Sequence, residues 1–241
     1  MRKYFRLFFT IGLYLLVIYP KIFVYSVFKK KISYEKRYSF AIKILKKLTK
    51  ALHVKYDVRG LENIPSGNNI VFCPNHQAVL DPCILELIDK KAFIIAKMET
   101  RRYPYVGKIA NMIDSLFLDR EDIRKSFLTI KEASERLSNN DTNFLIFLEG
   151  TRSKNENMKM NDFKPGGLRP AFENHSTIVP VALCGYYKLL STKIQQKQYL
   201  VEVEFLKPLT YDDYKDKTTV EVAKQIHDDI QEKVTLMMKN Q

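Results

Sequence analysis

Cysteine is scarce in this chain of 241 residues, and Cys73, Cys83 and Cys184 form neither an even disulfide framework nor a pair of metal-binding C-x-x-C elements. Each sits among apolar neighbours, so all three read as reduced core residues, which suits a cytosolic domain. Histidine is also rare: His53, His175 and His227 show no metal-ligand spacing and read as surface or capping residues, and no metal is assigned. With only 8 glycines and 9 prolines the chain holds no low-complexity linker, and it has neither an internal repeat nor a Gly-rich nucleotide loop. No small-residue cleavage site follows the first apolar stretch, which argues against a removed signal peptide.

What is abundant is apolar surface and positive charge. A hydrophobic content of 46% in 241 residues suffices for one sizeable α/β domain with an appended N-terminal element. The net charge of +13 is unevenly spread: residues 1–60 carry 15 Lys or Arg against two acids, Glu35 and Asp57, which is 15 − 2 = +13. Taken from totals of 40 and 27, that leaves 25 basic and 25 acidic residues for 61–241. The basic residues are interleaved with aliphatic and aromatic runs rather than set in polar, flexible sequence, so the arm suits a membrane surface and no nucleic-acid partner is expected.

Arg2, Lys3 and Arg6 precede an apolar run from Leu7 to Tyr19; Pro20 and Lys21 interrupt it, and Ile22 to Phe28 come next, before Lys29, Lys30 and Lys31. A spanning helix needs about 20 apolar residues, so the interruption favours a segment that dips into one leaflet, breaks at Pro20 and keeps both ends on the cytoplasmic side. A single span is the second reading. From Tyr34 to Leu52 apolar residues recur every three or four positions, with Arg37, Lys43, Lys46, Lys47 and Lys50 largely on the other faces, which predicts a basic amphipathic helix docked at a lipid surface. The expected division is an anchoring segment over 1–53 and a catalytic domain over 54–241.

Beyond Val54, β-rich stretches alternate with helical ones: Val54–Val58, Asn69–Cys73, Phe93–Ala96, Ser115–Leu118, Phe144–Leu148, Ile178–Leu183 and Tyr199–Phe205. The intervening pattern predicts helices over Pro82–Asp89, with Asp81 as N-cap, over Ile123–Leu137, and a closing one over Thr218–Lys239. The fold expected is α/β: a mixed, mainly parallel sheet flanked by helices.

Chemistry gathers where strands end. Asn75-His76-Gln77-Ala78-Val79-Leu80-Asp81 comes directly after an apolar strand, the position where open α/β sheets build sites. His76 can act as a general base, with Asp81 holding its other ring nitrogen; the rival reading makes Asp81 an N-cap and His76 a loop histidine. No triad serine accompanies the pair, which points to direct activation of a substrate hydroxyl; Cys73, three residues upstream, is expected to be buried. Phe117-Leu118-Asp119-Arg120 and Phe147-Leu148-Glu149-Gly150-Thr151-Arg152-Ser153 are also strands ending in loops with an arginine. Parallel neighbours would bring His76, Arg120, Glu149 and Arg152 to one rim, two guanidinium groups suited to a phosphate monoester beside a base. Ion pairs of Arg120 with Asp119 and of Glu149 with Arg152 are the local alternatives. Phe163-Lys164-Pro165-Gly166-Gly167 leads into a candidate helix start facing an anion, and Ile178–Leu183 reads as core or acyl-site wall.

Four ordered blocks, spread over Val58 to Leu183, resemble the lysophosphatidate (1-acylglycerol-3-phosphate) acyltransferase family of glycerolipid acyltransferases. They are His76 to Asp81, Phe117 to Arg120, Glu149 to Arg152, and Val179-Pro180. The resemblance implies His76 as catalytic base, Asp81 as its partner, and Arg120, Glu149, Gly150, Thr151 and Arg152 at the acceptor's glycerol phosphate. It implies lysophosphatidate as acceptor, an acyl thioester of coenzyme A or acyl carrier protein as donor, no further cofactor, and phosphatidate as product at the membrane. Two positions depart from the pattern: Asp114 stands where the family usually has glycine, putting a carboxylate near the expected phosphate pocket, and Leu148 where it usually has proline. Another lysolipid or hydroxylated acceptor, and a non-catalytic lipid-binding protein, remain the competing readings.

Overall fold

The computed structural model describes residues 11–139, 142–153, 159–189 and 196–239 of the chain. Arg2, Lys3, Arg6 and the start of the apolar run at Leu7 lie outside the described residues. The rest of the N-terminal arm is a helical hairpin: α1 (Leu13–Val27) and α2 (Tyr34–Ala51), joined through a 3₁₀ turn at Lys29–Lys31. Pro20 does not break the chain as expected; it lies inside α1. Its ring and missing N–H fall opposite Leu16, which is 65% exposed, while the other face buries Ile22 and Ser26, so the lost hydrogen bond sits on the open side. The reversal comes at the three consecutive lysines instead. Lys21, which splits the apolar run, is held over the Phe40 ring of α2 at 4.5 Å, and Lys47 of α2 lies over Tyr14 at 3.9 Å. A helix of 15 residues reaches about 22 Å, short of the ~30 Å hydrocarbon core. Among the described residues no helix is long and apolar enough to cross a membrane.

The rest of the chain runs β1 (Val54–Arg59), β2 (Ile70–Pro74), β3 (Ala92–Lys97), α3 (Val106–Met112), β4 (Leu116–Leu118), α4 (Ile123–Leu137) and β5 (Asn143–Ile146). It continues through α5 (Arg169–Glu173), β6 (Thr177–Cys184), α6 (Tyr186–Leu189), β7 (Tyr199–Phe205), α7 (Tyr211–Tyr214) and α8 (Thr219–Lys239). The strands form one sheet ordered β1-β7-β6-β2-β5-β3-β4, parallel throughout except where β6 meets β7. This is the mixed, mainly parallel α/β sheet expected from the alternation.

Alternate residues of the central strands feed two cores. Val71, Cys73, Phe144 and Ile146 pack on the side of α4 and α8, against Ala133, Leu137, Ile226 and Ile230. Ile70, Phe72 and Leu145 pack on the other side with Ile22, Tyr38, Ala41 and Ile44 of the hairpin, which therefore covers a sheet face rather than hanging free. The helix expected over Pro82–Asp89 is a 3₁₀ helix over Asp81–Glu86. Asp81 does not cap it: its carboxylate turns back to the amides of Gln77 and Ala78, and Pro82 brings no N–H of its own.

Arg37, read as part of the charged face of α2, is only 5% exposed. It donates to the carbonyls of Ile32 at 3.1 Å and Met112 at 2.5 Å and to Asp114 Oδ2 at 2.8 Å, while Lys29 binds Asp114 Oδ1 at 2.9 Å. Asp114 thus fastens the hairpin to the loop entering β4. It does so in the left-handed region, at φ +52°, where glycine is the usual residue. Burial pushes its carboxyl pKa up, but the bonds from Arg37 and Lys29 outweigh this and hold it below the usual value.

A group held low in the fold contributes stability above the ordinary carboxyl pKa of about 4, and that contribution is lost as pH falls through the folded value. In urea titrations of the detergent-solubilised protein, Arg37→Met should cost about 3 kcal/mol at neutral pH, because it leaves Asp114 with Lys29 alone and strips the Met112 and Ile32 carbonyls of their donor. Asp114→Asn should cost less and flatten the loss of stability below pH ~4. An Arg37→Met midpoint equal to that of the parent protein would show that the ion pairs do not hold the hairpin.

Candidate active site

Parallel pairing of β2 with β5, Val71 beside Phe144 and Phe72 beside Leu145, brings two of the predicted loops together. The connection from β2 crosses the hairpin side of the sheet through Cys83, Ile84 and Leu85, and that from β5 crosses the other side through Leu168 and Ala171. Departing to opposite faces, the two loops leave a crevice beyond the strand ends.

The chain is delivered to this crevice by Asn75. Its buried amide donates to the Leu183 carbonyl at 3.1 Å and accepts from the Leu183 N–H at 2.7 Å, extending the β2–β6 ladder by a side chain past Pro74. Next comes His76, whose Nδ1 lies 2.7 Å from Asp81 Oδ2. Asp81 is 0% exposed, and the same oxygen accepts from the N–H of Gln77 at 2.5 Å and of Ala78 at 2.8 Å. Its other oxygen has no hydrogen-bond partner among the described residues. Burial raises the Asp81 pKa, against the opposing pull of His76 and the two amides. A carboxylate on Nδ1 selects the tautomer with the proton on that nitrogen, which leaves Nε2 as an acceptor. The imidazole, 19% exposed, stacks on Phe147 with ring centroids 4.3 Å apart. The rival reading of Asp81 as a mere N-cap does not describe this geometry.

Arg120 and the Glu149 loop stand beside this pair. The Arg120 guanidinium lies on Gly150, where a Cβ would come within 3.0 Å of its central carbon, and Gly150 holds φ +72°. Glycine is required there on both counts. Partial burial pulls the Arg120 pKa down, with Glu99 acting the other way. The alternative Arg120–Asp119 pair is not formed, since Asp119 engages Lys125 at 3.5 Å. Arg120 has no hydrogen-bond or ion-pair partner among the described residues, which leaves its planar fork open to an anion.

Glu149 is 2% exposed and pairs with neither Arg152 nor any other cation among the described residues. Its Oε1 accepts from the His76 N–H at 2.7 Å, and its Oε2 from Ser153 Oγ at 2.9 Å and from the N–H and side-chain amide of Asn161 at 2.8 and 2.9 Å. Thr151 and Arg152 are exposed on the same loop. The resemblance puts Glu149 at the acceptor, yet its carboxylate is turned into the protein.

Other predicted features fall elsewhere. Asp114 carries its carboxylate to Arg37 and Lys29, not to the crevice. Cys73 is fully buried with its thiol pKa pushed up by burial, so it offers no nucleophile. Ile178–Leu183 is core, and Leu148, 2% exposed, packs in the core where the family usually has proline. Pro165–Leu168 forms one 3₁₀ turn whose Gly167 fits against Ile146 and Leu148; a Cβ there would lie 2.7 Å from each. His175 stacks on Tyr211 and His227 pairs with Asp228, both away from the crevice.

Sequence reasoning gave no role to Phe147, Ser153 or Asn161. Ser153 adjoins the Glu-Gly-Thr-Arg block and could have been marked by that, but nothing in the local pattern signals Asn161. Alongside Phe147 and Gly150 opens an apolar cavity of about 330 Å³, walled by Ile95, Leu118, Ile123, Phe127, Ile146 and Leu148, with Arg120, Lys164 and Arg169 also lining it. Among the described residues no carboxylate lines it.

The chain is similar to several known acyltransferases. A chloroplastic 1-acyl-sn-glycerol-3-phosphate acyltransferase of Arabidopsis thaliana is 32% identical over 57% of this chain and 38% of its own length. The enzymes so named from Borreliella burgdorferi and, as the alpha form, from Homo sapiens are each 30% identical, over 54% and 56% of this chain and 51% and 50% of their own. The chain spans about half the length of the curated relatives it matches. The crystal structure of the 1-acyl-sn-glycerophosphate acyltransferase PlsC from Thermotoga maritima superposes with a TM-score of 0.75 at 25% identity, over 99% of this chain and 98% of that one. Residues 55–184, which contain His76, Asp81, Arg120 and Glu149, match the acyltransferase family along more than half of the sequence, and the chain belongs to that family.

Proposed function

We propose that the protein transfers a fatty acyl group from a thioester of coenzyme A or acyl carrier protein to the sn-2 hydroxyl of 1-acylglycerol-3-phosphate, giving phosphatidate. The observation that carries this reading is a histidine with Nδ1 fixed by a buried carboxylate and Nε2 open, set beside an unpaired, partly desolvated arginine and an apolar cavity.

In the reaction His76 Nε2 takes the proton of the acceptor hydroxyl as its oxygen attacks the thioester carbonyl. Asp81 stabilises the imidazolium that forms. As the C–S bond breaks, the proton passes from His76 to the departing sulfur, and the new ester remains. Arg120, joined by Arg152 from its exposed loop, meets the acceptor phosphate, and the cavity beside Phe147 takes an acyl chain. Holding both substrates in line contributes roughly 7 to 11 kcal/mol, more than the ~10² to 10⁴ in rate from the base itself.

The site is proposed to work at a membrane, on its cytoplasmic face. The outer side of α1 exposes Leu13, Leu16, Val17 and Val27, and Lys43, Lys46 and Lys50 of α2 are exposed beside it. Basic residues near an anionic surface contribute about 1 kcal/mol each. Val17→Glu should weaken sedimentation with phosphatidylglycerol vesicles several-fold without changing the protein's thermal midpoint; unchanged sedimentation would remove α1 from the lipid contact.

Turnover is tested by release of free thiol from an acyl thioester, with and without lysophosphatidate. His76→Ala should lower acceptor-dependent release by roughly 10² to 10⁴ in folded protein, and Asp81→Asn by a similar order, since an amide cannot hold the productive tautomer. Arg120→Ala should raise the KM for lysophosphatidate about 10- to 100-fold, the loss of a charge-assisted hydrogen bond, and should leave a monoacylglycerol acceptor unaffected. Release that does not depend on any lysolipid, or survives His76→Ala, would reject the acyltransferase assignment.

A further inference from the structure

A buried carboxylate with no cationic partner needs other compensation, because desolvating an unpaired charge is costly. Glu149 obtains it from four hydrogen bonds, and the donors are informative. One is the peptide N–H of His76; the others are Ser153 Oγ and two groups of Asn161. Ser153 in turn donates its own N–H to the His76 carbonyl at 2.8 Å. Both polar groups of the His76 backbone are therefore held from the β5 loop, while Asp81 holds the ring from the other side. Phe147, under the imidazole, belongs to that same loop.

Fixing an imidazole in direction takes more than one point of support. The Asp81 bond sets which nitrogen is protonated and where the ring edge lies, but the ring can still pivot with its Cα. The Glu149 and Ser153 bonds remove that freedom, and the Phe147 stack limits tilting about the Nδ1 contact. With four protein donors on its carboxylate and only 2% of the residue exposed, Glu149 is turned away from a substrate hydroxyl.

We infer that Glu149, with Ser153 and Asn161, is a positioning device that fixes the backbone of His76, so that Glu149 governs turnover rather than acceptor binding. Three of these bonds converge on one oxygen, Oε2, and only an anionic carboxylate can accept them all while its other oxygen accepts from His76. Glu149→Gln can keep the bond from the His76 N–H through its single carbonyl oxygen, but its NH₂ faces three donors. The loop then loses its register against His76. Displacement of a catalytic group by about 1 Å can cost on the order of 10² in rate.

The inference depends on His76 being the base in the proposed acyl transfer, so the experiment has one arm that needs turnover and one that does not. In the first, kcat and the lysophosphatidate KM are measured for the full chain carrying Glu149→Gln, with Arg120→Ala as the comparison. Glu149→Gln should lower kcat roughly 10- to 100-fold with KM within about twofold, whereas Arg120→Ala raises KM. In the second arm, the ring-proton resonances of His76 are tracked by NMR in protein without substrate. Glu149→Gln should move them and leave those of His53 unmoved. Ser153→Ala, which removes the hydroxyl shared between Oε2 and the His76 carbonyl but keeps the backbone N–H to His76, serves as a milder variant should Glu149→Gln fail to fold, with the same changes at smaller size. A raised KM with unchanged kcat, or an unmoved His76 resonance in a folded variant, overturns the positioning role. Absence of turnover in the parent protein overturns the acyl-transfer reading instead, and the His76 resonance then decides the positioning role alone.

Discussion

Everything in the crevice depends on β2 and β5 lying side by side and parallel. The pairing of Val71 with Phe144 and Phe72 with Leu145 is made of buried apolar residues that carry no chemistry themselves. Yet it sets the distance from the loop that bears His76 to the loop that bears Phe147, Glu149 and Gly150. Because the two connections leave for opposite faces, the space between the loops stays open, and the His76 ring is not covered by its own chain.

The electrostatics of the crevice arise from burial. Two carboxylates, Asp81 and Glu149, are almost wholly removed from water, and neither is paired with lysine or arginine among the described residues. Asp81 is compensated by the imidazole and two backbone amides, Glu149 by one amide of the histidine itself and three donors of its own loop. The arginine of the crevice is thereby spared: Arg120 is neutralised by neither acid. Apolar walls on the side of α4 lower the local dielectric and strengthen such an interaction.

The N-terminal hairpin is integral to this arrangement rather than an added tether. It covers one face of the sheet through Ile22, Tyr38 and Ile44, and its Arg37 and Lys29 grip Asp114 just ahead of β4, the strand that leads to Arg120. A position where the acyltransferase pattern usually has glycine is thus used here to join the apolar, basic hairpin to an arginine of the site. The outer face of α1 stays apolar and exposed while its inner face is core.

The sequence by itself determined the sheet class, most strand positions and the meeting of His76 with Asp81 beyond β2. Those features are local: period-two and period-3.6 patterns, and a His and an Asp close enough that one loop must bring them near each other. It also carried the basic character of the first 60 residues. What only the tertiary structure decided is which partner each charge finds. Arg37, Asp114 and Glu149 all looked like surface or ligand-facing charges from their neighbours, and each is committed to a group far away in the chain, such as Met112, Lys29 or His76. Pro20 likewise resembled a break, but packing of Ile22 on the opposite side of α1 keeps the helix continuous. Local pattern reports propensity and burial, whereas pairing of a buried charge is set by whatever the fold brings within about 3 Å of it.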